Sequence, residues 1–122
     1  MSFVKSTDVI TDVALTVSGL SGGTNGKVVR INGTNTATDA SSGDTSIQLN
    51  NVLIKVNNIY YSWGLVQGFS GLSAGSALFL ASDGTPTDTP PTPSSTVRSL
   101  FLGFAVNSTD IIFRPGTPIS GT

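Results

Sequence analysis

Two apolar runs near the end of the chain, separated by four turn-forming residues, constrain its fold more than any other feature. Residues 100–106 read Leu-Phe-Leu-Gly-Phe-Ala-Val and residues 111–113 read Ile-Ile-Phe, with Asn107, Ser108, Thr109 and Asp110 between them. Runs of this length joined by a short polar break predict a β-hairpin. A third run, residues 77–81 (Ala-Leu-Phe-Leu-Ala), is a natural neighbour for the same sheet. It is preceded by a turn punctuated by Gly68, Gly71 and Gly75.

Strand side chains alternate between faces. In residues 100–106, alternation puts Leu100, Leu102, Phe104 and Val106 on one face and Phe101, Gly103 and Ala105 on the other. Both faces are apolar, so both are expected to be covered. One cover is the rest of the chain. The other is a neighbouring subunit approaching over Phe101, Gly103 and Ala105, or else a bulge at Gly103 inside a single chain.

The rest of the chain has the same β character. Val13, Leu15 and Val17 alternate with Ala14 and Thr16, which predicts a half-buried strand over residues 12–17 with the first set inward. Residues 27–31 are a second strand, closed by the turn dipeptide Asn32-Gly33. Residues 35–44 are polar and read as a loop. Residues 46–56 carry two alternating stretches with a turn at Asn50 and Asn51, and a further break at Asn57 and Asn58 leads into a strand over residues 59–63. Residues 82–96 hold four prolines, which exclude that segment from a ladder interior and bias it to extended conformations. The expected organisation is an extended N-terminal arm over residues 1–11, one β domain over residues 12–116 and a tail over residues 117–122. The expected architecture is all-β, a small single-domain antiparallel β-sandwich or open β-barrel.

Composition excludes several chemistries. Cysteine is absent, which removes disulfide staples and thiolate metal sites. Histidine is absent too, so His-dependent triads and Cys–His dyads cannot form. All seven acidic residues are aspartates, and those at 83, 88 and 110 lie in turn contexts that favour Asp for its backbone-bonding side chain. No catalytic residue, cofactor or metal is assigned, although residues 39–44 (Asp-Ala-Ser-Ser-Gly-Asp) offer oxygen ligands of the kind Ca²⁺ accepts, without an established loop spacing. A net charge of −1 with 11% charged residues is far from a nucleic-acid-binding footprint. No apolar run approaches the ~18 residues of a membrane helix, and the first residues lack the order of a signal peptide. The aromatics Tyr60, Tyr61, Trp63 and Phe69 are expected in the core or at a subunit seam. The alternative is a sugar-stacking platform on Tyr61 and Trp63.

Residues 63–116 resemble a module of bacteriophage virion proteins. The shared features are Gly71-Leu72, Gly75, Leu78-Phe79-Leu80, the Asp83-Gly84 turn, the Thr/Pro-rich stretch over residues 85–93, Gly103-Phe104-Ala105, Ser108-Thr109 and Ile111-Ile112-Phe113. Such modules belong to small head-decoration proteins and tail fibres, so the resemblance implies a virion role and a three-fold assembly. The expected function is a non-enzymatic, homotrimeric decoration (cement) protein, made in the bacterial host cytoplasm and bound to the outer surface of the head. The partner is the major capsid protein of the same phage, with Phe3, Val4, Val9 and Ile10 as contact candidates and neither nucleic acid nor membrane involved. The other reading is a tail-fibre tip that recognises host glycan through Tyr61 and Trp63.

Overall fold

A computed structural model of the chain describes residues 14–44 and 51–121. Among these residues the structure is all-β, without helix. The strands are β1 (Ala14–Val17), β2 (Lys27–Gly33), β3 (Thr36–Asp39), β4 (Val52–Val56), β5 (Ile59–Gln67) and β6 (Ala77–Leu80), followed by β7 (Pro86–Thr87), β8 (Arg98–Ser99), β9 (Phe101–Ala105), β10 (Asp110–Phe113) and β11 (Ile119–Ser120). One strongly curled antiparallel sheet runs β3-β2-β4-β5-β10-β9-β6-β7 and forms a half-barrel; β1 pairs with β5 off this path. Of the two expected architectures, the open barrel describes it.

The predicted β9–β10 hairpin is present, with Ile111 opposite Ala105 and Ile112 opposite Phe104. Its turn is held by Asn107, whose Oδ1 accepts from the Thr109 and Asp110 amides at 2.8 and 2.9 Å. The β4–β5 hairpin turns at Asn57 and Asn58, both at positive φ (52° and 64°). This is the mirror-image turn that suits the strand twist, and Asn tolerates it. Asn25 braces it from outside by accepting the Asn58 amide at 2.8 Å.

The sheet curls along a row of three residues. Phe113 of β10 lies opposite Gly64 of β5 on one side and opposite Gly103 of β9 on the other. Both glycines have positive φ, 99° and 135°. Irregular registers sit beside both, at β1–β5 and at β6–β9, and such bulges bend and twist a strand. They also switch which face a residue occupies. Tyr61 and Val66 therefore pack toward the same core although they differ in parity, and so do Leu102 and Ala105. Residues 101–105 are thus not a two-faced strand awaiting a subunit. Gly103 and Ala105 are buried within the chain itself, and the close approach that Gly103 permits is to the Ile112 backbone of β10.

The main core fills the half-barrel with Val28, Ile54, Val66, Leu80, Leu100, Leu102, Ile111 and Phe113, among others. A second, smaller cluster of Val29, Ala37, Leu53 and Tyr60 lies on the opposite face of β2, β4 and β5, with Leu20 and Ile31 packed against it. This explains why every residue of β4 is buried. The two ends of the curled sheet are tied through residues 40–42 and the β6–β7 turn. The Val28 amide donates to the Gly84 carbonyl at 2.8 Å, and the Arg98 amide donates to the Ser42 carbonyl at 2.7 Å.

Four local expectations are corrected. Leu15 and Val17 are exposed, because among the described residues β1 pairs only with β5 and carries no layer over it. The β2–β3 turn falls at Thr34 and Asn35 rather than at Asn32-Gly33, since Gly33 still pairs with Thr36. The stretch read as a polar loop contains β3, whose only fully buried side chain is Ala37. The stretch read as a tail over residues 117–122 contains β11, which is exposed and pairs with β8. The turn expected at Asn50 and Asn51 falls partly outside the described residues.

Candidate functional surface

Several large apolar side chains of β1 and β5 are exposed. Leu15 is 57% exposed, Val17 40%, Ile59 43% and Trp63 46%. Leu15 lies opposite Trp63, so these two exposed side chains are neighbours across the strand pair, while Val17 lies opposite the buried Tyr60 and Ile59 pairs with Val56 of β4. Among the described residues nothing pairs with the outer edge of β1. That edge also lacks the lysine or proline with which exposed edges are usually guarded. Beside it runs an apolar groove of about 310 Å³, lined by Val17, Leu20, Ile31, Val52, Leu53 and Pro115, with Asn51 and Ser62 as its polar lining. Exposed apolar patches of this kind mark interaction sites.

The loop after β1 is held over the second cluster by a buried amine. Lys55 Nζ donates to the Gly22 and Gly23 carbonyls, each at 3.1 Å, and lies 5.1 Å from the centre of the Tyr60 ring. The Tyr60 hydroxyl donates to the same Gly22 carbonyl at 2.6 Å. Lysine is rarely buried unless its donors are satisfied, and here two carbonyls and a ring face satisfy it. The arrangement fixes Leu20 against the groove and exposes no reactive group.

Aspartates among the described residues are engaged in local structure. Asp39 accepts from the Thr24 amide and hydroxyl at 2.7 and 2.8 Å, and Asp44 is ion-paired with Arg30. The oxygen-rich stretch over residues 39–44 is therefore engaged in ties to β2 and its preceding turn, and the described residues contain no cluster of three or more metal-ligating side chains. Asp83 accepts from the Thr85 hydroxyl at 2.6 Å and from its amide at 3.0 Å. Asp110 accepts from the Thr109 hydroxyl at 2.8 Å and from Asn107 Nδ2 at 3.2 Å.

These bonds hold both carboxyls below the ordinary aspartate value of 3.8, chiefly through the Thr85 hydroxyl for Asp83 and the Thr109 hydroxyl for Asp110. A carboxyl depressed on folding adds stability that is complete above its unfolded pKa and is lost as pH falls through the folded one. The unfolding temperature is therefore expected to be level above about pH 5 and to decline below the ordinary carboxylate range. Thr109→Val removes the main donor to Asp110 and is expected to soften that decline in thermal scans against pH. An acid limb identical to that of the unchanged chain contradicts this.

The residues proposed from sequence fall in three places. Phe3, Val4, Val9 and Ile10 lie outside the described residues. Phe101 is half-buried, edge-on to Phe79 at 5.9 Å, while Gly103 and Ala105 are interior. Tyr61 packs against the main core and Trp63 is exposed. Leu15, Val17 and Ile59 were not separable from core residues by pattern, since alternation defines two faces without saying which is covered. No family model, curated protein or solved structure matches the chain.

Proposed function

We propose that this chain is a non-enzymatic structural protein of a bacteriophage virion: a homotrimeric decoration, or cement, protein that binds the outside of the assembled head. The observation that carries this reading is the set of exposed, uncharged apolar side chains of β1 and β5, beside a strand edge that is unpaired among the described residues. A surface of that kind suits a chain that works in a permanent assembly. The resemblance of residues 63–116 to virion modules supplies the setting. The shell contact is assigned to Phe3, Val4, Val9 and Ile10, immediately upstream of β1. An assembled shell presents sites composed of several subunits, and a protein that binds only those sites stabilises the assembled state by mass action.

The fibre-tip reading draws support from the exposure of Trp63. Its weakness is local chemistry. Sugar recognition needs polar groups converging around a stacked ring, whereas the residue opposite Trp63 is the apolar Leu15, and Tyr61 is turned toward the core. Pelleting of the purified chain with stripped heads of its phage, and separately with host cells, tests the choice. Saturable binding to heads that weakens on deletion of residues 1–8 is expected. Binding to cells and not to heads overturns the decoration reading.

A further inference from the structure

The geometry points to Asn32 as a site of spontaneous covalent modification, where the side-chain amide is lost through a succinimide and aspartate or isoaspartate takes its place. The chain's other Asn-Gly pair, Asn25-Gly26, is protected by the fold. This inference does not depend on the decoration reading.

The two pairs share the same intrinsic chemistry. The backbone nitrogen of the glycine gives its proton to hydroxide and attacks Cγ of the asparagine. The N–Cγ bond forms, the Cγ–Nδ2 bond breaks, and Nδ2 leaves as ammonia. Water then opens the cyclic imide at either carbonyl. Glycine favours the attack because it brings no Cβ to crowd the nitrogen. The step needs a side chain able to turn onto the following amide, and an amide released from other acceptors.

Asn25-Gly26 meets neither condition. Asn25 Oδ1 accepts from the Asn58 amide at 2.8 Å, and its Nδ2 donates to Asn58 Oδ1 at 3.3 Å. The Gly26 amide donates to the Lys55 carbonyl at 2.6 Å. Asn32-Gly33 lies at the end of the β2–β3 hairpin, where residues 32–36 are all exposed. The register passes from the Ile31–Ala37 pair to the Gly33–Thr36 pair, so the pairing skips Asn32 and leaves it in a bulge. Gly33–Thr36 is the last pair before the turn, and the ends of a ladder open at small cost. Ser21 braces the other limb, donating to the Asn35 carbonyl and accepting from the Ala37 amide. Asn32 itself is held by the Thr36 hydroxyl, which donates to Oδ1 at 2.9 Å. That bond draws electron density from Cγ and stabilises the charge that develops on Oδ1 when the nitrogen adds. It leaves Nδ2 to depart.

The full-length protein is aged in mildly alkaline buffer, folded and in guanidinium chloride. Both asparagines are followed by peptide mass mapping, and isoaspartate is read by enzymatic methylation. In the folded chain Asn32 is expected to convert about tenfold or more faster than Asn25, and in denaturant the two rates are expected to converge. Each event adds one negative charge to a chain of net charge −1, so an acidic form accumulates on isoelectric focusing. Thr36→Val keeps the shape of the side chain and is expected to slow Asn32 severalfold without changing Asn25. Equal rates in the folded chain, or faster loss at Asn25, overturn the proposal. So does a folded chain that keeps both amides while the unfolded chain loses them. A difference that persists undiminished in guanidinium chloride also overturns it, because neighbouring sequence and not the fold then selects Asn32. An unchanged or faster rate at Asn32 in folded Thr36→Val contradicts the part given to the hydroxyl.

Discussion

Gly103→Ala is expected to unfold the domain at a temperature about 10 °C or more below that of the unchanged chain. A Cβ at this position stands 1.8 Å from the Ile112 carbonyl oxygen and 2.9 Å from its carbon. Both atoms are backbone, and β10 is flanked by β5 and β9, so it cannot retreat without breaking a ladder. The φ of 135° at Gly103 adds strain for any residue with a side chain. Strain at an unfavourable backbone conformation and forced displacement of packed neighbours each cost about 1–3 kcal/mol. Together they remove a large part of a typical domain stability of about 5–15 kcal/mol. Thermal unfolding followed by circular dichroism gives the answer. A change of only a few degrees would mean that the bulge relaxes freely and that Gly103 does not determine the curl.

Phe113→Ala tests the same row of residues from its centre. Phe113 is the largest fully buried side chain among the described residues, and it packs with Val66, Leu102 and Ile111 in the main core. Truncating a buried phenylalanine removes its transfer free energy and leaves a cavity, at a cost of about 3–5 kcal/mol. The sites flanking it are glycines, which offer no side chains to collapse into the space. The loss is therefore expected in the upper part of that range in denaturant titrations. Phe113→Leu keeps most of the volume and is expected to recover much of the loss. Equal destabilisation by Ala and Leu would show that ring shape, rather than filled volume, holds the two bulged strands together.

These residues also mark how far the fold is readable from sequence. The β9–β10 hairpin and the turn at Asn57 and Asn58 are legible because turn chemistry is local: an Asn side chain that bonds its own turn, and two Asn residues that accept positive φ. The assignment of faces is not legible across Gly64 and Gly103. Alternation assumes an unbroken pleat, and each bulge reverses the parity beyond it. So Ala105, read as facing a partner, is in the core, and Phe104, read as facing the core, lies on the other side with Arg114 stacked 5.5 Å from its ring centre. Strand β3 escapes notice because Thr36, Thr38 and Asp39 resemble a loop and only Ala37 has a burial to report. The candidate surface is half legible. Trp63 stands out by type, but Leu15 and Val17 become surface residues only once β1 is known to be an outer strand with no layer above it among the described residues.

The proposed recognition of an assembled shell is tested most directly by comparing binding of the full chain to intact stripped heads with binding to the unassembled capsid subunit under the same conditions. A decoration protein that reads composite sites is expected to saturate on heads and to show no measurable affinity for free subunits. Equal affinity for both, or binding to neither, would contradict it.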